Sequence, residues 1–117
     1  MHRAYTVRVS HPGDLPLSLY RGDSYAFAVR VWSDEAHTIP GDLAGATAAA
    51  ELRQGAEVIT LDCTVVEPNT VDVVLAADAW GTVGPGTGRW DLQLTYADGR
   101  VFTVLAGAVT IAGDVTA

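Results

Sequence analysis

The residues of this chain that could do chemistry are few and widely spaced. There is a single cysteine, Cys63, so no intrachain disulfide can form. It sits in the alternating run Ile59-Thr60-Leu61-Asp62-Cys63-Thr64-Val65 on the apolar parity, where a small buried hydrophobe is expected rather than a reactive thiol. His2, His11 and His37 are far apart, and none has a cysteine or a second histidine at ligand spacing. Asp34-Glu35 is a pair of carboxylates in a polar stretch. A calcium loop needs more oxygen ligands at alternating positions, so a solvated loop is expected there. No Gly-x-Ser-x-Gly motif is present. Carboxylates are numerous, but strand alternation disperses them over an outer face, and no glycosidase-type pair stands out. The sequence therefore nominates no catalytic residue, no metal ligand and no cofactor.

Two short motifs have ordinary structural readings. Arg21-Gly22-Asp23 matches an integrin-binding tripeptide, yet Gly22 and Asp23 also suit a turn for backbone reasons alone. The run Gly81-Thr82-Val83-Gly84-Pro85-Gly86-Thr87-Gly88 is rich in glycine. It lacks the Gly-Lys-Ser/Thr ending of a phosphate loop, and no long helix follows to receive a phosphate. A flexible loop is expected.

The elements that must position these residues are strands. The chain has 117 residues, enough for one domain and one core. Short alternating runs recur between Gly, Pro, Asn and Asp, the pattern of an all-β sandwich or barrel with roughly seven to nine strands. Tyr5, Val7 and Val9 alternate with polar neighbours in a first strand. Pro16 marks Leu15–Tyr20 as an edge strand or extended arm. Residues 24–32, 46–53, 58–65 and 71–75 read as further strands, and residues 108–112 as the last. Ala76–Trp80 is the one stretch that reads as a helix, about one turn long and stopped by Gly81. The hairpin signal is strongest in Gly88–Leu105, where Asp98-Gly99 separates two alternating runs. Met1–Asp14 is expected to form an N-terminal strand or a docking arm of the single domain spanning residues 1–117.

Charge and composition exclude some roles. The net charge is −7, and every strongly basic residue is arginine. The basic stripe that nucleic-acid binding requires is missing. No apolar run reaches the length of a membrane span, and the first residues lack the apolar core of a signal peptide, so use without Sec export and without membrane insertion is expected.

Apolar residues at outward positions are the best pointers to a partner. A two-residue turn at Asp98-Gly99 would pair Tyr96 with Val101. That parity puts Phe102 and Val104 on the face of Asp91, Gln93 and Thr95, opposite Trp90, Leu92 and Leu94. Trp32 likewise falls opposite the row of Phe27 and Val29. Such a face either meets a partner or is covered by a loop or by the N-terminal arm. Trp32, Phe102, Val104, Tyr5 and Leu17 are the candidate interaction residues.

The run Leu19–Val29 carries a strand after Arg-Gly-Asp. Asp42-Leu43-Ala44-Gly45-Ala46 leads into a strand ending at Arg53. Ala76–Trp80 follows a strand, and Trp90-Asp91-Leu92, Asp98-Gly99 and Leu105-Ala106-Gly107-Ala108-Val109 complete the series. In these features, over roughly residues 17 to 116, the chain resembles small Ig-like β-sandwich proteins encoded among the tail and baseplate genes of tailed bacteriophages. The hairpin register places Gly107 opposite Trp90, so that the indole lies over a residue without a side chain.

The resemblance implies an antiparallel Ig-like β-sandwich with one short helix. It also implies a non-enzymatic virion protein, a minor tail or baseplate component in contact with other virion proteins in a symmetric assembly. Such a protein would be assembled in the host cytoplasm and located in the virion, with the tail favoured over the head. Capsid decoration or a head-tail role is the alternative in the same class. A carbohydrate-binding module, with Trp32 or Trp80 stacked on a host-surface glycan, is the alternative in another.

Overall fold

A computed structural model describes residues 3–8, 12–34, 36, 38, 39 and 41–113. His2, His11, Glu35 and His37 lie outside these described residues. Nine strands follow in chain order: β1 (Arg3–Arg8), β2 (Gly13–Asp14), β3 (Leu17–Tyr20), β4 (Tyr25–Trp32), β5 (Thr47–Gln54), β6 (Glu57–Val66), β7 (Thr70–Leu75), β8 (Gly86–Thr95) and β9 (Val101–Ala112).

Hydrogen-bonded neighbours run β1-β4-β7-β6-β5-β8-β9-β2, and β3 also pairs with β9. Strand β6 joins two layers. Its first half, Glu57–Leu61, pairs with β5, and its second half, Asp62–Val66, pairs with β7. The result is a nearly barrel-like sheet folded over one core, with β1 and β9 approaching each other at the seam. All-β architecture is as expected, but the sheet is mixed rather than wholly antiparallel. Strand β1 runs parallel to β4, and β2 and β3 run parallel to β9. The N-terminal stretch thus contributes to both layers, first beside β4 and then beside β9.

The core follows from alternation. Phe27, Val29 and Val31 of β4 turn inward with Val71, Val73 and Leu75 of β7, and they face Leu52 of β5 and Trp90, Leu92 and Leu94 of β8. The Phe27 ring links the layers, meeting Tyr5 and Trp90 edge-on at centroid distances of 5.6 Å each. Such pairs add about 0.5–1.5 kcal/mol beyond the area they bury. Cys63 is half-buried at the margin of this core rather than inside it.

The expected helix at Ala76–Trp80 is instead a pair of turns, closed by Ala79 N donating to Ala76 O at 3.1 Å and Val83 N donating to Trp80 O at 3.0 Å. Alanine propensity is a weak preference, and a single helical turn must bear the whole cost of nucleation. Burial of Trp80 prevails: its indole packs inside and its Nε1 donates to Asp23 O at 2.9 Å.

The β8–β9 hairpin differs from the expected one in two places that offset each other. Tyr96 N donates to Arg100 O at 2.8 Å and Gly99 N donates to Tyr96 O at 2.9 Å, so three residues, Ala97-Asp98-Gly99, form the loop. Gly99 takes the positive φ of 91° that such a loop demands. Leu94 therefore faces Phe102, one residue off the two-residue register. A bulge then places Val104 without a partner between Thr103, opposite Gln93, and Leu105, opposite Leu92. Beyond the bulge the registers coincide again, and Trp90 faces Gly107 as expected.

Candidate interaction site

Gly107 is the keystone of the N-terminal arm. A Cβ there would lie 2.2 Å from the Leu15 carbonyl oxygen, so only glycine admits the Leu15-Pro16 backbone onto β9. Trp90 Nε1 donates to that same carbonyl at 2.8 Å, and Leu15 N donates to Ala106 O at 2.9 Å. Trp90 does face Gly107 across the hairpin, but the arm is what the missing side chain makes room for.

With the arm seated, a cleft of about 580 Å³ opens between β3 in one layer and β1 and β4 in the other. Its floor is Phe27, Leu52, Leu61, Val73 and Leu75, and its rim carries Tyr5, Leu17, Ser18 and Tyr25. The Tyr25 hydroxyl accepts a hydrogen bond from Tyr20 N at 2.9 Å, which caps one end of the β3 edge. Pro16, with no N–H, blunts the other.

The five candidate interaction residues separate. Tyr5 and Leu17 are brought together on the two lips of this cleft, both half-buried. Trp32 ends β4 opposite Arg8 and is half-buried, away from the cleft lining. Phe102 is half-buried at the hairpin end, edge-on to Tyr96 at 5.8 Å, with the Arg100 guanidinium over both rings. Its outward placement is corrected by the extra loop residue, which turns it to the face of Leu94. Val104 is corrected more fully, because the bulge directs both Val104 and Leu105 inward and Val104 has no exposed surface. Trp80, a candidate for sugar stacking, is buried and cannot offer a face.

The motifs set aside at the sequence level have structural roles. Arg21 donates through Nε to Val83 O and through Nη2 to Gly81 O, each at 2.7 Å. The Gln54 amide clasps Gly84, donating to its carbonyl at 2.8 Å and accepting from its N–H at 3.3 Å. The glycine-rich segment, expected to be flexible, is thus held at three carbonyls, with Val83 buried beneath it. The Arg-Gly-Asp arginine is occupied in that work.

Asp34 organises its own loop. Its carboxylate accepts from the Thr38 hydroxyl and from the amides of Thr38 and Ile39, each amide at 2.9 Å. The Thr38 hydroxyl bond, followed by the Ile39 amide, holds this carboxyl below its ordinary pKa. Burial, reinforced by nearby Asp62, pushes the Cys63 thiol up to about 11, which disfavours the thiolate that nucleophilic chemistry needs. Among the described residues no group of three or more His, Cys, Asp or Glu side chains is placed to hold a metal ion.

Sequence reasoning did not single out the charged quartet Glu51, Arg53, Arg89 and Asp91 on the outer face of β5 and β8. The signal was available: Glu-x-Arg on one strand and Arg-x-Asp on its antiparallel neighbour.

No family model matches the sequence, and no curated protein does. Solved structures do match in fold. The N-terminal domain of ORF48 of phage TP901-1 superposes with a TM-score of 0.56 at 13% identity, covering 93% of this chain and 98% of that one. A putative glycoside hydrolase from Bacteroides vulgatus superposes with a TM-score of 0.51 at 14% identity, covering 84% of this chain but 16% of that one. At such identities the likeness is one of fold.

Proposed function

We propose that this protein is a non-enzymatic structural component of a tailed-phage virion, a minor tail or baseplate protein of Ig-like type that acts through contacts with other virion proteins. The observation that carries the reading is end-to-end fold similarity to a phage domain of nearly the same extent. A self-contained β core with its loops pinned by side chains supports it, since a repeated assembly unit needs rigid surfaces. The cleft edged by Tyr5 and Leu17 is the contact region we favour, because a partner's apolar side chains would find a ready floor there. The test is made in the phage that encodes the chain. Ser18→Arg with Ser24→Arg, at exposed positions of the cleft lining, should leave the melt of the free protein close to wild type and reduce its copies per purified particle. Absence of the wild-type protein from purified particles would overturn the virion reading, and normal incorporation of the variant would overturn the cleft as contact.

A second reading, a carbohydrate-binding module, is favoured by one observation: the similar segment of a putative glycoside hydrolase. Tyr5 and Tyr25, rather than Trp80, would supply the stacking faces. Glycan-array binding abolished by Tyr5→Ala would favour it over a purely structural role.

A further inference from the structure

The outer face of β5 and β8 carries four charges in two rows. Glu51 lies directly opposite Asp91, and Arg53 lies directly opposite Arg89. Like charges facing each other across strands are unfavourable. Here two of the seven strongly basic residues of a −7 chain are placed side by side, and two acids side by side next to them. Leu52 and Trp90, between them in sequence, are buried, so the four charged side chains share the opposite, solvent face. Within the chain Arg53 pairs with Glu51 at 2.8 Å, and both remain substantially exposed. Among the described residues Arg89 and Asp91 have no ion pair of their own.

The surroundings are neutral and small. The acidic row is flanked by Thr60 on β6 and Ala106 on β9, and the basic row by Val58 and Ala108. Ala49 and Gln93 form the next pair along the strands. The quartet is neutral as a whole, Asp62 is the next charge on the outward row of β6, and among the described flanking residues nothing bulky keeps a second sheet away.

We propose that this face docks a second copy of the same chain by charge self-complementarity. A two-fold axis parallel to the sheet and just above this face, perpendicular to the strands and midway between the rows, turns the copy face-down with its strands reversed. The basic row of each chain then lies on the acidic row of the other: Arg53 on the copy's Glu51, and Arg89 on the copy's Asp91. A two-fold axis along the strands would instead set acid on acid and base on base, so the pattern selects one orientation. Such an interface is isologous, the commonest kind in homo-oligomers. The inference does not rest on the virion reading. A dimer absent from particles would count against that reading alone.

Sedimentation equilibrium of the full chain at low and high salt tests it. The wild type should dimerise at low salt, and association should weaken by about tenfold at high salt, as expected for exposed ion pairs. Arg53→Glu with Arg89→Glu makes the face wholly acidic, and Glu51→Arg with Asp91→Arg makes it wholly basic. Each alone should be monomeric, and an equimolar mixture should form the heterodimer. Should either charge-swapped variant fail to fold, Arg89→Gln with Asp91→Asn carries the test, because it keeps the Glu51–Arg53 pair and must still weaken the dimer. A wild type that stays monomeric, a dimer indifferent to salt, folded swaps that self-associate like wild type, or a mixture that fails to associate would each overturn the proposal.

Discussion

At the scale of single residues, the structure turns on a few side chains whose partners are backbone atoms. Trp90 and Gly107 together hold the Leu15 carbonyl, one by donating to it and the other by leaving space for it. Gly107→Ala should cost about 1–3 kcal/mol, because backbone rather than a flexible side chain stands in the way. Trp90→Phe keeps most of the apolar bulk but strands that carbonyl, at about 1–3 kcal/mol. The two act on one contact, so the double variant should be less destabilised in urea than the sum of the singles. Strict additivity would show that the arm is held elsewhere. Cys63 yields a second expectation. With its pKa at about 11, only roughly one thiol in a thousand is ionised at pH 8. Labelling by a disulfide reagent at that pH should be slow in the native protein and fast in denaturant. Native labelling as fast as a free thiol's would show that the β6 margin opens readily.

At the scale of elements, the hairpin is the place where reading and structure diverge and then rejoin. Asp98-Gly99 reports a tight turn truthfully, but a glycine with positive φ serves a two-residue loop or the last position of a three-residue loop equally well. The longer loop is favoured here by local bonds: the Asp98 carboxylate accepts from Arg100 N at 3.1 Å and Nε at 2.7 Å. The bulge at Val104 then restores the register, which is why Trp90 opposite Gly107 was legible while Phe102 and Val104 were not. Inward rows such as Phe27-Val29 and Leu92-Leu94 were legible because both flanks of each strand alternate. The parallel partners of β1, β2 and β3 were not, since a short strand carries no local mark of a distant neighbour. Nor was the cleft, which exists only once the arm lies on β9. The corrected parity makes a sharp prediction. Val104→Lys should destabilise by on the order of 3–5 kcal/mol or prevent folding, because it buries an unpaired charge. Val101→Lys, at a position 55% exposed, should change stability by no more than about 0.5 kcal/mol. A larger loss at Val101 than at Val104 in chemical denaturation would restore the two-residue register.

At the scale of the whole molecule, the first and last described strands are tied into one core. Strand β9 pairs with β8 on one side and with β2 and β3 on the other, so Leu17–Tyr20 rests on Val109–Ala112 across nearly the full length of the sequence. Strand β6 belongs to both layers, and the Phe27 ring touches β1 and β8 at once. No layer can therefore unfold without exposing the inner face of the other. The described elements should melt as one cooperative unit rather than as two sheets in sequence. Buried Trp80 and Trp90 give a fluorescence signal from the Arg21–Val83 lock and from the arm contact, while far-UV circular dichroism reports all the strands. The two urea transitions should coincide. Because the decisive pairings are non-local, refolding should take milliseconds to seconds rather than microseconds. A fluorescence transition that precedes the loss of β signal would show that the β2–β3 arm and the glycine-rich loop detach first. The fold would then be a stable inner sheet wearing a separable N-terminal strap, and the cleft between them would be a surface that opens rather than a rigid one.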